Sequence, residues 1–119
     1  MRNFRKYDIW IDGIEFVLNT YTATDAFLPE ERFGLTSQMR RSAVSIPSNI
    51  AEGSSRKSDQ EFSRFLEISL GSAFELETQL ILSFRRRYIS QESFNKLLEA
   101  LHSLQRRINA LRTTLTIDR

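Results

Sequence analysis

Cysteine is absent from this chain of 119 residues, and turn-forming residues are scarce, with 4 glycines and 2 prolines. Without cysteine there is neither a disulfide framework nor a thiolate metal site, and a reducing, cytoplasmic setting is the expectation. So few turn formers starve hairpins and tight loops, which excludes an all-β fold and favours long uninterrupted helices. Histidine occurs once, at His102. No apolar run approaches the roughly 20 residues needed to cross a bilayer, so a soluble chain with no membrane partner is expected. Arg2, Arg5, Lys6, Asp8 and Asp12 would interrupt the apolar core of a secretory leader, and the N-terminus reads as part of the folded chain.

What remains is 40% apolar and 27% charged, which fits one compact domain over residues 1–119. A chain of this size buries only about two thirds of its unfolded surface, so self-association is an expected source of stability. The net charge of +2 conceals an uneven distribution, with 14 Arg against 3 Lys. Residues 1–84 carry 9 basic and 12 acidic side chains, net −3, whereas residues 85–119 carry 8 basic and 3 acidic, net +5.

Periodicity predicts four helices. In the first, Tyr7, Trp10, Ile14, Val17 and Tyr21 recur at spacings of three and four and predict the buried face, widened by Ile11 and Leu18. Leu28-Pro29 marks a break, followed by a turn through Phe33 and Gly34. The second starts near Thr36 as N-cap, aligns Met39, Ala43, Ile46 and Ile50, and stops at Gly53. Pro47 inside it predicts a kink or, failing that, an early end. The third opens on the capping box Ser58-Asp59-Gln60-Glu61 and carries a broad apolar arc: Phe62, Phe65, Leu66, Ala73, Leu76, Leu80 and Phe84, with Leu70, Phe74 and Ile81 beside it. The fourth, from Ser90, has a seam of Leu97, Leu101, Leu104, Ile108, Leu111 and Leu115. Four such helices on short connections predict an all-α, antiparallel up-down-up-down four-helix bundle.

Catalysis is disfavoured by elimination. The chain has no Gly-x-Ser-x-Gly elbow, no Walker loop and no Gly-x-Gly-x-x-Gly fingerprint. Glu99-x-x-His102 has the spacing of a di-iron ligand pair, but a second Glu-His pair is needed and no other histidine exists, so neither a metal nor another cofactor is expected. Glu77 falls inside the apolar arc of the third helix, where a lone carboxylate would be costly, and Arg40 or Arg41 is its expected partner. The second helix presents Arg41, Ser45, Ser48 and Glu52, with Gln38 and Asn49 alongside, which reads either as solvated surface or as a polar interface. Arg85, Arg86 and Arg87, with Arg106, Arg107 and Arg112, could gather into a phosphate-binding surface with Tyr88 as a stacking group. Complementing helix C-termini is the competing role for these cations.

The run QMRRSAVSIPSNIAEGSSR from residue 38 closely resembles the hallmark segment of the 23S rRNA intervening-sequence protein family, also called the four-helix bundle protein family. The resemblance continues through Glu61-Phe62, Phe65-Leu66 and ISLGSAFELETQL from Ile68, and includes Leu28-Pro29-Glu30-Glu31 and Gly34-Leu35 upstream. Ser69, where alanine is expected, and the triple arginine 85–87 depart from the pattern. The resemblance implies a bacterial, non-enzymatic antiparallel bundle that forms a homopentamer. It extends to the accessory proteins of diversity-generating retroelements, which implies RNA or DNA and a reverse transcriptase as partners. The family has no established catalytic residues, so Arg41, Asn49, Glu52, Gly53, Gly71, Ser72, Glu75 and Glu77 carry over as structure and assembly positions. The leading expectation is therefore an oligomer that binds RNA or DNA backbone through arginines. The alternative is a protein-interaction or structural scaffold with no nucleic-acid role.

Overall fold

The computed structural model describes residues 2–116. A 3₁₀ turn at Phe4–Lys6 precedes α1 (Asp8–Asp25), a second at Pro29–Glu31 precedes α2 (Leu35–Ser54), and α3 (Asp59–Arg85) and α4 (Gln91–Thr114) follow. Cross-helix pairs fix the directions. Met39 meets Ser83, Ser42 meets Glu75, and Ser45 meets Ser72, so numbers rise along α2 as they fall along α3. Glu77 with Gln105 and Glu67 with Arg112 give the same antiparallel sense for α3 and α4. Each helix packs on its neighbours in sequence and α4 returns to α1, which makes the expected four-helix bundle, 46 Å long and about 22 Å across. The α2–α3 contact is the most extensive and the α1–α4 seam the most open.

The core is set largely by the anticipated stripes. Met39, Ala43, Ile46 and Ile50 of α2, Phe62, Leu66, Ala73, Leu76 and Leu80 of α3, and Leu97, Leu101, Leu104 and Ile108 of α4 are buried. Ser58 caps α3 by accepting the Glu61 N–H at 3.1 Å, and Ser90 does the same for α4 from Ser93. The boundaries of α2 differ from expectation. Gly34 rather than Thr36 is its N-cap, and the helix runs one residue past Gly53. The alternative of an early end at Pro47 is excluded, because α2 continues through that residue. Pro47 is buried against Gly13 of α1, where an added Cβ would lie 3.3 Å from the Pro47 Cβ.

The face of α1 is the main correction. Ile9, Gly13, Phe16, Thr20 and Thr24 point inward, while Ile14 and Tyr21, expected in the core, are exposed together with Ile11 and Leu18. The inward threonines donate to carbonyls one turn back, Thr20 to Phe16 and Thr24 to Thr20, both at 2.9 Å, which removes the penalty for burying their hydroxyls. Phe74 on α3 likewise points outward instead of widening the buried arc.

Candidate functional site

Of the polar positions anticipated on α2, Ser45 and Asn49 join Ser42 in a seam toward α3, whereas Gln38, Arg41, Ser48 and Glu52 are exposed. Ser42 Oγ donates to Glu75 Oε1 at 2.8 Å, the Ser45 and Ser72 hydroxyls meet at 2.8 Å, and Asn49 Nδ2 donates to the Ser45 carbonyl and hydroxyl at 2.8 and 2.9 Å. Ser69 is buried and donates to the Ile46 carbonyl at 2.9 Å. Gly53 lets the two backbones approach, since a Cβ there would stand 2.5 Å from the Phe65 Cβ. Of the structural candidates, Asn49, Gly53, Ser72 and Glu75 are thus used within the chain. Arg41, Glu52 and Gly71 face outward, Glu52 pairing with Arg56 at 3.1 Å.

Glu77 does not join this seam. It lies on the α4 side of α3, where Gln105 Nε2 donates to its Oε1 at 2.9 Å and His102 Nε2 stands 3.2 Å away. The hydrogen bond from Gln105, helped by His102, holds its carboxyl below the usual range despite partial desolvation. The expected pairing with Arg40 or Arg41 fails because α2 lies on the other side of α3. Arg40 instead reaches Thr24 at 2.9 Å and Asp25 at 2.8 Å, and Arg41 is exposed. His102 is turned to Glu77 rather than to Glu99, and no group of three potential metal ligands occurs among the described residues.

The arginines proposed as one surface lie in two places. Arg85, Arg86 and Arg87 end α3 at one tip of the bundle. From that tip α4 runs away, so Arg106, fifteen residues past Gln91, is about 22 Å along the axis. Arg107 pairs with Asp12 at 2.8 Å, and Arg112 with Glu67 at 3.3 Å. Tyr88 packs on Phe27 and donates to Glu31 Oε2 at 2.8 Å, so its ring serves the fold rather than a ligand. That hydrogen bond, with one from the Leu35 N–H, holds the Glu31 carboxyl below its ordinary range. Arg87 has φ 63°, a left-handed position at which an L side chain costs roughly 1 kcal/mol and glycine is favoured.

Two outward surfaces escaped the sequence reading. Ile11, Ile14 and Leu18 on α1, and Ile68, Phe74 and Leu82 on α3, are between 38% and 55% exposed. Gly71 sits amid the α3 group, and a Cβ added there would meet nothing within 4 Å. The second surface is a shallow hollow where the end of α1 meets the start of α2, lined by Tyr21, Arg32, Phe33, Thr36, Ser37, Arg40, Arg41 and Val44. Phe33 is 86% exposed. Its ring lies 5.2 Å from the Arg32 guanidinium, and that of Tyr21 lies 4.5 Å from Arg40. The hollow's mark in the sequence is an aromatic beside arginine in a turn, at Arg32-Phe33-Gly34, which belongs to no helical stripe.

The sequence profile of the 23S rRNA-intervening sequence protein family matches residues 5–110. The chain belongs to that family. A solved structure from Bacteroides thetaiotaomicron, described as a protein with unknown function from the S23 ribosomal protein family, is similar over 87% of this chain and 97% of its own, with TM-score 0.78 and 25% identity. No curated protein matches the chain significantly. As a 23S rRNA-intervening sequence protein, the chain has its polar α2–α3 seam, Gly71 and the α1–α2 hollow within the matched span, whereas Arg112 lies beyond it. No helix among the described residues is long and apolar enough to cross a membrane.

Proposed function

We propose that this 23S rRNA-intervening sequence protein is a non-catalytic, self-associating scaffold. The observation that carries the reading is the pair of half-exposed apolar faces, Ile11, Ile14 and Leu18 on α1 and Ile68, Phe74 and Leu82 on α3. Several large apolar side chains left half-exposed on two helices of a small domain favour an interaction role. The helices α1 and α3 stand diagonally across the bundle, each contacting α2 and α4 but not the other. A contact between one copy's α1 and the next copy's α3 is therefore heterologous, and it makes a ring where the rotation between copies closes. Five subunits is the count that the family resemblance implies, and the absence of cysteine suits a reducing cytoplasm. Sedimentation velocity at micromolar concentration is expected to give a multiple of the 13.9 kDa chain mass, and Leu18→Glu or Phe74→Glu to give the monomer with unchanged helical circular dichroism. A monomeric wild type would overturn the reading.

A second reading, binding of RNA or DNA backbone, rests on the α3 tip. Arg85, Arg86 and Arg87 are exposed, and Arg87 is kept in a conformation that favours glycine. Self-association would repeat these three guanidiniums once per copy. Affinity for structured RNA should fall steeply with salt and be lost on changing all three to Gln. Binding that survives the triple change removes the tip from consideration.

A further inference from the structure

We infer that the hollow between the end of α1 and the start of α2 is a binding site for single-stranded nucleic acid, with a base stacked on Phe33 and the flanking phosphates held by Arg32 and Arg41. The site shares no residue with the α3 tip, which lies at the same end of the bundle, where Tyr88 donates to Glu31 beside Arg32.

Phe33 is the most exposed large apolar side chain among the described residues, at 86%. A ring held in water this way adds little to the packing of the fold, and the Arg32 guanidinium lies over it at 5.2 Å. The charges around it are unequal in availability. Arg40 is already engaged by Asp25, Thr24 and the Tyr21 ring, and so forms a fixed wall. Arg32 and Arg41 are exposed and have no carboxylate within 4 Å among the described residues. The nearby Glu31 carboxylate is turned to the Tyr88 hydroxyl and the Leu35 N–H, and no acidic residue lines the hollow. Two uncompensated guanidiniums therefore line the same hollow as a projecting aromatic ring, with the Thr36 and Ser37 hydroxyls as further phosphate donors.

The shape selects the ligand. A peptide anchor needs an enclosed apolar pocket, and this hollow is shallow, with Val44 and Tyr21 its other apolar groups. A base needs only a flat ring to lie on and cations within reach of its phosphates. Base pairing in a duplex would keep that ring from reaching a base face, so a single strand is the favoured form.

The test is fluorescence anisotropy of the full chain with a labelled ten-nucleotide oligouridylate and with a duplex of equal length, at low and physiological salt. The single strand is expected to bind more tightly than the duplex. Phe33→Ala, at a site where folding is not at stake, is expected to weaken single-strand binding roughly five- to 150-fold. Arg32→Gln with Arg41→Gln should lower the salt slope by about 1.4. Phe33→Ala should still weaken single-strand binding in the Arg85, Arg86 and Arg87 triple variant, so failure of the tip reading leaves this result intact. Absence of single-strand binding at low salt, an unchanged affinity in Phe33→Ala, or equal competition by a polyglutamate peptide would each overturn the assignment, the last by giving the hollow to an acidic protein partner.

Discussion

Gly71 separates the stability of the single fold from its assembly. It lies inside α3 with no left-handed backbone, and a methyl group added there would meet no atom of the chain. Glycine in a helix interior is destabilising by about 0.5–1 kcal/mol relative to alanine, so nothing within one copy explains its use. Gly71→Ala should therefore stabilise the isolated domain by that amount, a rise of roughly 0.25–0.5 M in the urea midpoint at a slope near 2 kcal/mol/M. If the α3 face of one copy receives α1 of another at this spot, the added methyl overpacks the contact at about 1–3 kcal/mol, which weakens association roughly five- to 150-fold. The two effects are measured apart: urea unfolding in the monomeric Leu18→Glu background gives the first, and sedimentation of the otherwise wild-type chain gives the second. A lowered urea midpoint would refute the reading of Gly71 as an open helical position. An unchanged association constant would refute its place in the contact.

Gly53 should behave in the opposite way, because its missing Cβ would lie 2.5 Å from the Phe65 Cβ and 3.0 Å from Phe62 Cδ1. Gly53→Ala is expected to destabilise the domain by about 1–2 kcal/mol in thermal or urea melts, overpacking outweighing the helix preference of alanine. Glu77 titrates below the ordinary carboxylate value of about 4.3 in the folded chain, chiefly through the Gln105 hydrogen bond and then through His102. Its contribution is present above that ordinary value and disappears as pH falls through the depressed one, so urea midpoints of Glu77→Gln between pH 6 and pH 3 should decline less steeply than those of the wild type; parallel curves would contradict this. Arg87→Gly should stabilise the domain by about 1 kcal/mol by relieving the left-handed backbone at φ 63°, and reduce RNA binding where the α3 tip contributes to it. Calorimetry and anisotropy on one preparation check both halves.

What the sequence made legible depended on how many faces each helix offers. On α2 and α4 the apolar residues form one stripe, and Met39 to Ile50 and Leu97 to Ile108 are buried as periodicity requires. The partner of Glu77 was not legible, because Gln105 meets it only through the antiparallel register of α3 and α4, and that register depends on where both helices end. The scattering of the arginines follows from the same geometry, since α4 carries Arg106, Arg107 and Arg112 away from the tip at Arg85. On α1 periodicity pointed about a quarter turn away from the buried face: Tyr7, Trp10 and Val17 pack against the core as expected, but Ile14 and Tyr21 do not. The larger side chains of Ile14, Leu18 and Tyr21 outweigh Gly13, Thr20 and Thr24 on any hydrophobicity count. Gly13 nevertheless admits Pro47 of α2 to close range, and the threonine hydroxyls close on their own helix, so the smaller face packs more tightly. A bundle helix with two apolar faces has one more than its own chain can bury. The face left outside on α1 is thus the residue of the misreading and the strongest physical reason to look for a second copy.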